Sequence, residues 1–94
     1  MIMDIYAQIV EKIIKAQEVI IGPVAVEQAL RVPHLKIDWP KHHVSIDGDQ
    51  AAAVNSLVAV YSELFGQISK EVSKEAAASL VRQLPVGKLP EALR

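Results

Sequence analysis

The chain has no cysteine. Disulfides, thiolate nucleophiles and thiolate metal sites are therefore excluded from its chemistry. It has no threonine, and its serines at 45, 56, 62, 69, 73 and 79 read as helix surface, caps or small packing residues. None stands in a pattern that pairs a hydroxyl with a base and an orienting acid, as nucleophilic catalysis requires. The glycines stand singly at 22, 48, 66 and 87, so no glycine-rich loop can cradle a phosphate. Aromatic residues number four, one of them the lone Trp39.

Charge of one sign is also missing. Ten Lys and Arg stand against eleven Asp and Glu, a formal net charge of −1, and both halves of the chain are balanced. Neutralising phosphates takes a concentrated basic patch. The expectation is no nucleic-acid partner and no attraction to an anionic membrane. No apolar run approaches a membrane span. "MIMDIYAQIV" has no basic start and carries Asp4 and Gln8 early, unlike a secretory signal. A soluble cytoplasmic protein without cofactor is expected.

What the chain does have is apolar surface in excess of its size. Hydrophobic residues make up 51% before glycine is counted, and with glycine the share is about 55%, above the roughly 45–50% of soluble domains. Ninety-four residues make one small domain, whose surface is large relative to its core. Part of the excess is expected outside the monomer core, on a partner surface.

Residues 4 to 21 read as a long helix with Asp4 as N-cap. Its polar face carries Asp4, Gln8, Glu11, Lys12, Lys15 and Glu18. Its apolar arc covers about half the wheel, wider than the ~100° stripe of a single core contact. Gly22 and Pro23 interrupt it. "PVAVEQALRV" follows as a short helix, or as a continuation past a kink, and Pro33 ends it. Alternation of Leu35, Ile37 and Trp39 with polar residues, then of Val44 and Ile46, predicts a β-hairpin turning at "PKH". Asp49 caps the next helix, striped by Val54, Leu57, Val58, Tyr61, Leu64 and Phe65 and ended by Gly66. A last helix runs from a Ser69 cap to about Leu84. Its expected buried face is Ile68, Val72, Ala76, Leu80 and Leu84, with Ala77 and Val81 alongside. Residues 85–94 form a proline-punctuated tail, with one helical turn after Pro90. The fold class is α+β and helix-dominated: a long N-terminal helix, a short helix, a β-hairpin and a C-terminal αα-hairpin. Leu35, Ile37, Val44 and Ile46 are expected to pack under the last two helices.

Two functional readings compete. The preferred one is a non-catalytic interaction or regulatory module that self-associates or docks on a partner protein. Its interface is placed on the edges of the first helix, at Ile5 and Ile9 on one side and Val10, Ile14 and Ile21 on the other; Trp39 is read first as a lid on the small core and second as a recognition aromatic of that interface. A single small core is not expected to cover both edges. The alternative is a small-ligand or metal-binding protein, or an enzyme, that uses the hairpin. Its metal candidates are His34, His42, His43, Asp38 and Asp47, with Asp49 nearby, since imidazole and carboxylate together bind zinc or a related cation. The spacing argues against this, because His42 and His43 are neighbours and the helical His-x-x-x-His pattern is absent. "DGD" at 47–49 lacks the later ligands of a calcium loop and reads as a turn with a helix cap. The preferred reading assigns no catalytic, cofactor or metal residue.

Overall fold

The computed structural model describes residues 4–94. Its elements are α1 (Ile5–Ile21), α2 (Val24–Ala29), β1 (Leu35–Asp38), β2 (His43–Ile46), α3 (Gln50–Phe65) and α4 (Gln67–Val81). Short 3-10 turns occupy Trp39–Lys41, Val86–Lys88 and Glu91–Leu93. The expected α+β, helix-dominated layout is present, with the hairpin between two pairs of helices.

Capping sets the starts of the long helices. Asp4 Oδ1 accepts from Ala7 N at 2.9 Å, and Asp49 Oδ1 accepts from Ala52 N at 3.0 Å. Each bond satisfies one of the orphan donors of a first turn. Glycine sets the ends. Gly22 (φ 72°, ψ −154°) closes α1 and Gly66 (φ 83°, ψ −168°) closes α3. Both lie in a backbone region that is essentially restricted to glycine. Gly66 serves the two helices it joins, as C-cap of α3 and N-cap of α4. The last helix therefore starts at Gln67, before the expected Ser69 cap, and ends at Val81 rather than near Leu84.

α1 is the centre of the molecule. It packs against α2, α3, α4 and β2. Ala7, Ile9, Val10, Ile13, Ile14 and Gln17 are all buried, the last five with no exposure at all. This corrects the interface assignment. Ile9, Val10 and Ile14 belong to the monomer core, while Ile5 and Ile21 are half-buried against it. The wide apolar arc is the mark of a helix surrounded by its own fold, so it leaves no wet strip along these edges.

The hairpin pairs Leu35 with Ile46 and Ile37 with Val44, so these four share one face. Leu35 and Val44 are buried, Ile37 and Ile46 half-buried. That face packs chiefly on α1, not under the last two helices as expected. α3 and α4 cover other sides of α1 and pack on each other. The tail folds back on them: Ala92 N donates to Asn55 Oδ1 at 2.8 Å, and Pro90 and Leu93 are buried.

α4 is turned from its expected orientation. Its buried residues are Ser69, Ser73, Ala77 and Leu80, whereas Ile68 is 74% exposed and Val72 and Ala76 are half-buried. A shift of one residue along a helix rotates the buried stripe by roughly 100°. The cause lies on α1. Gln17 Nε2 donates to Ser69 O at 2.8 Å and to Ser73 Oγ at 3.0 Å. Without these partners the buried Nε2 of Gln17 would carry its full desolvation penalty, while its Oε1 is buried without a hydrogen bond. The small serine face lets the helices approach closely enough to provide them.

Candidate functional site

Two regions stand out, the hairpin turn and the corner where the helices end. In the turn, Trp39 Nε1 donates to Glu18 Oε2 at 3.0 Å. The His42 ring stacks on Trp39, with centroids 4.5 Å apart and planes 29° apart. His42 Nδ1 lies 3.8 Å from Glu11 Oε2, a buried oxygen that has no hydrogen bond. Glu11 and Glu18 are two helical turns apart on α1, so the pair holds the turn at two points. His42 sits at φ 51° and His34 at φ 71°, left-handed positions that histidine tolerates better than most residues. Trp39 is half-buried and engaged within its own chain, as a lid on the small core would be. His42 stays exposed in the turn, and one face of its ring packs on Trp39.

The metal candidates are spread along the hairpin. His43 faces Asp38 across the ladder. The carbonyl of His34 accepts from Asp47 N at 2.8 Å, which closes the open end of the hairpin. Asp38 and Asp47 are exposed. Among the described residues, no three His, Asp or Glu side chains gather where they could hold a metal ion. An open depression of about 370 Å³ lies by the start of α3, bordered by Tyr6, Asp49, Gln50 and Lys88. Structural bonds already engage its polar groups. Asp49 caps α3, Gln50 Nε2 donates to Asp4 Oδ2 at 2.7 Å, and Tyr6 OH donates to Lys88 O at 2.8 Å.

Tyr61 is fully buried in α3 and donates to Ala25 O at 2.6 Å. Burial first, and the nearby Glu18 carboxylate second, push its phenol well above the ordinary tyrosine value. Its role is to tie α2 to α3 as a neutral donor.

The second region is apolar. Gln17 brings the last turn of α1 beside the first turn of α4, and Tyr61 brings the start of α2 beside the last turn of α3. At this end of the molecule Val19 is 88% exposed, Ile68 74%, Ile20 54% and Leu64 53%, with Phe65 and Val24 just above a third. Leu64, Phe65 and Ile68 were expected in the core. They fall outside because Gly66 turns the chain sharply, leaving the residues around it on the outside of the corner. Gln17 offered a signal within the sequence: it interrupts the apolar arc between Ile13 and Ile21, where a buried amide needs a polar partner.

Compared with protein-family models, curated proteins and solved structures, the chain has no significant match in any of the three. The class that the fold defines is a helix-dominated α+β domain centred on one helix.

Proposed function

We propose that this chain is a non-catalytic interaction module, cytoplasmic and regulatory, that acts by docking on itself or on a partner protein. The observation that supports the reading is the apolar end formed by Val19, Ile20, Val24, Leu64, Phe65 and Ile68. Single exposed aliphatics are ordinary, whereas several at helix ends that meet are the kind of surface a partner would cover. Its balanced charge and the absence, among the described residues, of a helix long and apolar enough to cross a membrane accord with a protein partner. Neither nucleic acid nor an anionic membrane is the expected partner. No observation favours the alternative of ligand or metal binding at the hairpin. A photo-crosslinking residue at position 68, compared with one at position 75 on the exposed face of α4, tests the reading in cells. Defined protein adducts from position 68 and none from position 75 support it. Equal or absent labelling at both sites rejects it.

A further inference from the structure

We infer that Gln17 is an orientation lock, and that α4 has a second seat on α1 which it takes when the lock is undone. Two stripes run side by side along α4. Ser69, Ser73 and Ala77 make one, and all three are buried. Ile68, Val72 and Ala76 make the other at the same spacing; Ile68 is 74% exposed, and Val72 and Ala76 are half-buried. Leu80 belongs to both stripes, three residues after Ala77 and four after Ala76, and both are spacings of neighbours on a helix surface. Turning α4 by up to one residue, roughly 100°, therefore exchanges the two stripes and keeps Leu80 on the buried side.

By hydrophobicity the second seat is the better one, since isoleucine and valine would stand in the core in place of two serines. What opposes it is one amide. Among the described residues, the only side-chain hydrogen bonds between α4 and the other elements are those from Gln17 Nε2 to Ser69 O and Ser73 Oγ. The amide is itself satisfied on one side only, because Gln17 Oε1 is buried without a partner. The hinge is unobstructed. α4 has no side-chain cap at its start, and a Cβ added at Gly66 would meet nothing within 4 Å. A buried polar group that fixes one arrangement against a more apolar rival gives up stability for a single structure. Packed elements have discrete alternatives rather than a continuous range. Gln17 thus decides whether Ile68 stands in water or against α1.

Thiol labelling of the full chain under native conditions tests the lock. The chain has no cysteine, so an introduced thiol reports one position. Ser69→Cys probes the buried stripe and spares the lock, which uses the Ser69 carbonyl. Ile68→Cys probes the exposed stripe and keeps a small apolar side chain there. With Gln17 in place, position 68 labels fast and position 69 slowly. Gln17→Met removes the amide and keeps an unbranched side chain that adapts to its surroundings. In that background labelling is expected to slow at position 68 and to quicken at position 69, each by about tenfold, one tenfold step in the balance between the seats. Ser73→Ala, which leaves the bond to Ser69 O, shifts both rates the same way by a smaller factor. Unchanged rates in the Gln17→Met background overturn the lock. A rise at 69 without a fall at 68 overturns it as well, because general loosening quickens the buried position and leaves the exposed one fast. If Gln17→Met does not fold by circular dichroism, the Ser73→Ala background decides, and rates equal to the parent's overturn the lock.

Discussion

From Ile9 to Gln17, one side of α1 has no exposure at all. One turn further on, Val19 and Ile20 are more than half exposed, and the α3–α4 corner beside them exposes Leu64 and Ile68 to a similar degree. The two regions are made of the same residue types and belong in part to the same helix. What differs is the number of elements available to cover them. The middle of α1 has α2, α3, α4 and β2 packed around it. At its end the chain turns away at Gly22 and again at Gly66, and among the described residues no further element lies across the turns. Hydrophobicity thus decides which residues seek cover, while the placement of the corners decides which receive it.

The sharpest way to break this comparison is to put the same charge into both regions. Ile14→Glu places a carboxylate in a site with no exposure, at a penalty of several kcal/mol unless it stays protonated. That is a large part of the roughly 5–15 kcal/mol that holds a domain together. The expected result is loss of the folded state at neutral pH, seen as collapsed helical circular dichroism. Ile68→Glu, measured at dilution, should shift unfolding by no more than ~0.5 kcal/mol, as surface substitutions do. Comparable losses in both variants would mean that the corner is as sealed as the middle.

Much of the fold could be read from the sequence because its signals are local. Asp4 and Asp49 announce helix starts by residue type, Gly66 announces a turn, and alternation on either side of Pro40 gives the two strands, although Trp39 falls in the turn and not on the first strand. The orientation of α4 was not legible, because it depends on Gln17, which is 52 positions from Ser69. Ile68 and Val72 are better core residues than Ser69 and Ser73 on any hydrophobic scale, yet a buried amide outweighs that preference. The face of α1 suffered the opposite error: its width was legible and its meaning was not. An arc that is too wide for one contact can be covered by four neighbours or by a second molecule, and only the fold distinguishes these. The site suffered likewise. The hairpin histidines drew attention by type, whereas Glu11 and Glu18 read only as members of a polar face until the turn was seen to sit on them.

The corner itself can be tested through its backbone. Nothing lies within 4 Å of a Cβ added at Gly66, so a side chain there meets no clash. The effect of Gly66→Val is then conformational, about 1–3 kcal/mol for forcing a β-branched residue into a glycine-only region. Chemical denaturation measures it. A parent-like midpoint would imply that α3 and α4 can join without the sharp turn, which would also remove the reason for the exposed residues around it.

The tie between α2 and α3 is sharpened by alkaline titration. The phenol of Tyr61 is raised in the folded protein, so the fold holds its proton more tightly than the unfolded chain does. Its contribution is complete below the unfolded value of about 10 and is lost progressively as pH rises from there toward the folded value. Tyr61→Phe should lower stability at neutral pH by about 1 kcal/mol, the worth of a buried hydrogen bond whose acceptor is left unpaired. Its melting temperature should then fall less steeply than that of the parent above pH ~10. Parallel alkaline slopes would show that Tyr61 titrates as an exposed tyrosine does and that the corner admits water to it.

The smallest expected effect separates the two neighbouring histidines. His42 has three ties to its position: a stack on Trp39, a left-handed backbone, and Glu11 at 3.8 Å. It is nevertheless about half exposed, and the contact with Glu11 is ionic only with a protonated imidazole. The stack carries most of the remaining stabilisation, at the low end of the 0.5–1.5 kcal/mol of aromatic pairs. His43 is an ordinary strand residue opposite Asp38, with extended backbone. His42→Gln should therefore cost about 0.5–1 kcal/mol, and His43→Gln should stay within ~0.5 kcal/mol, both by denaturant midpoint at pH 7. Trp39 emission adds a direct readout, because the indole should respond to loss of the stacked ring in His42→Gln and not in His43→Gln. If both variants leave midpoint and emission unchanged, the turn is held by the Trp39–Glu18 bond alone, and His42 rests on it without stabilising it.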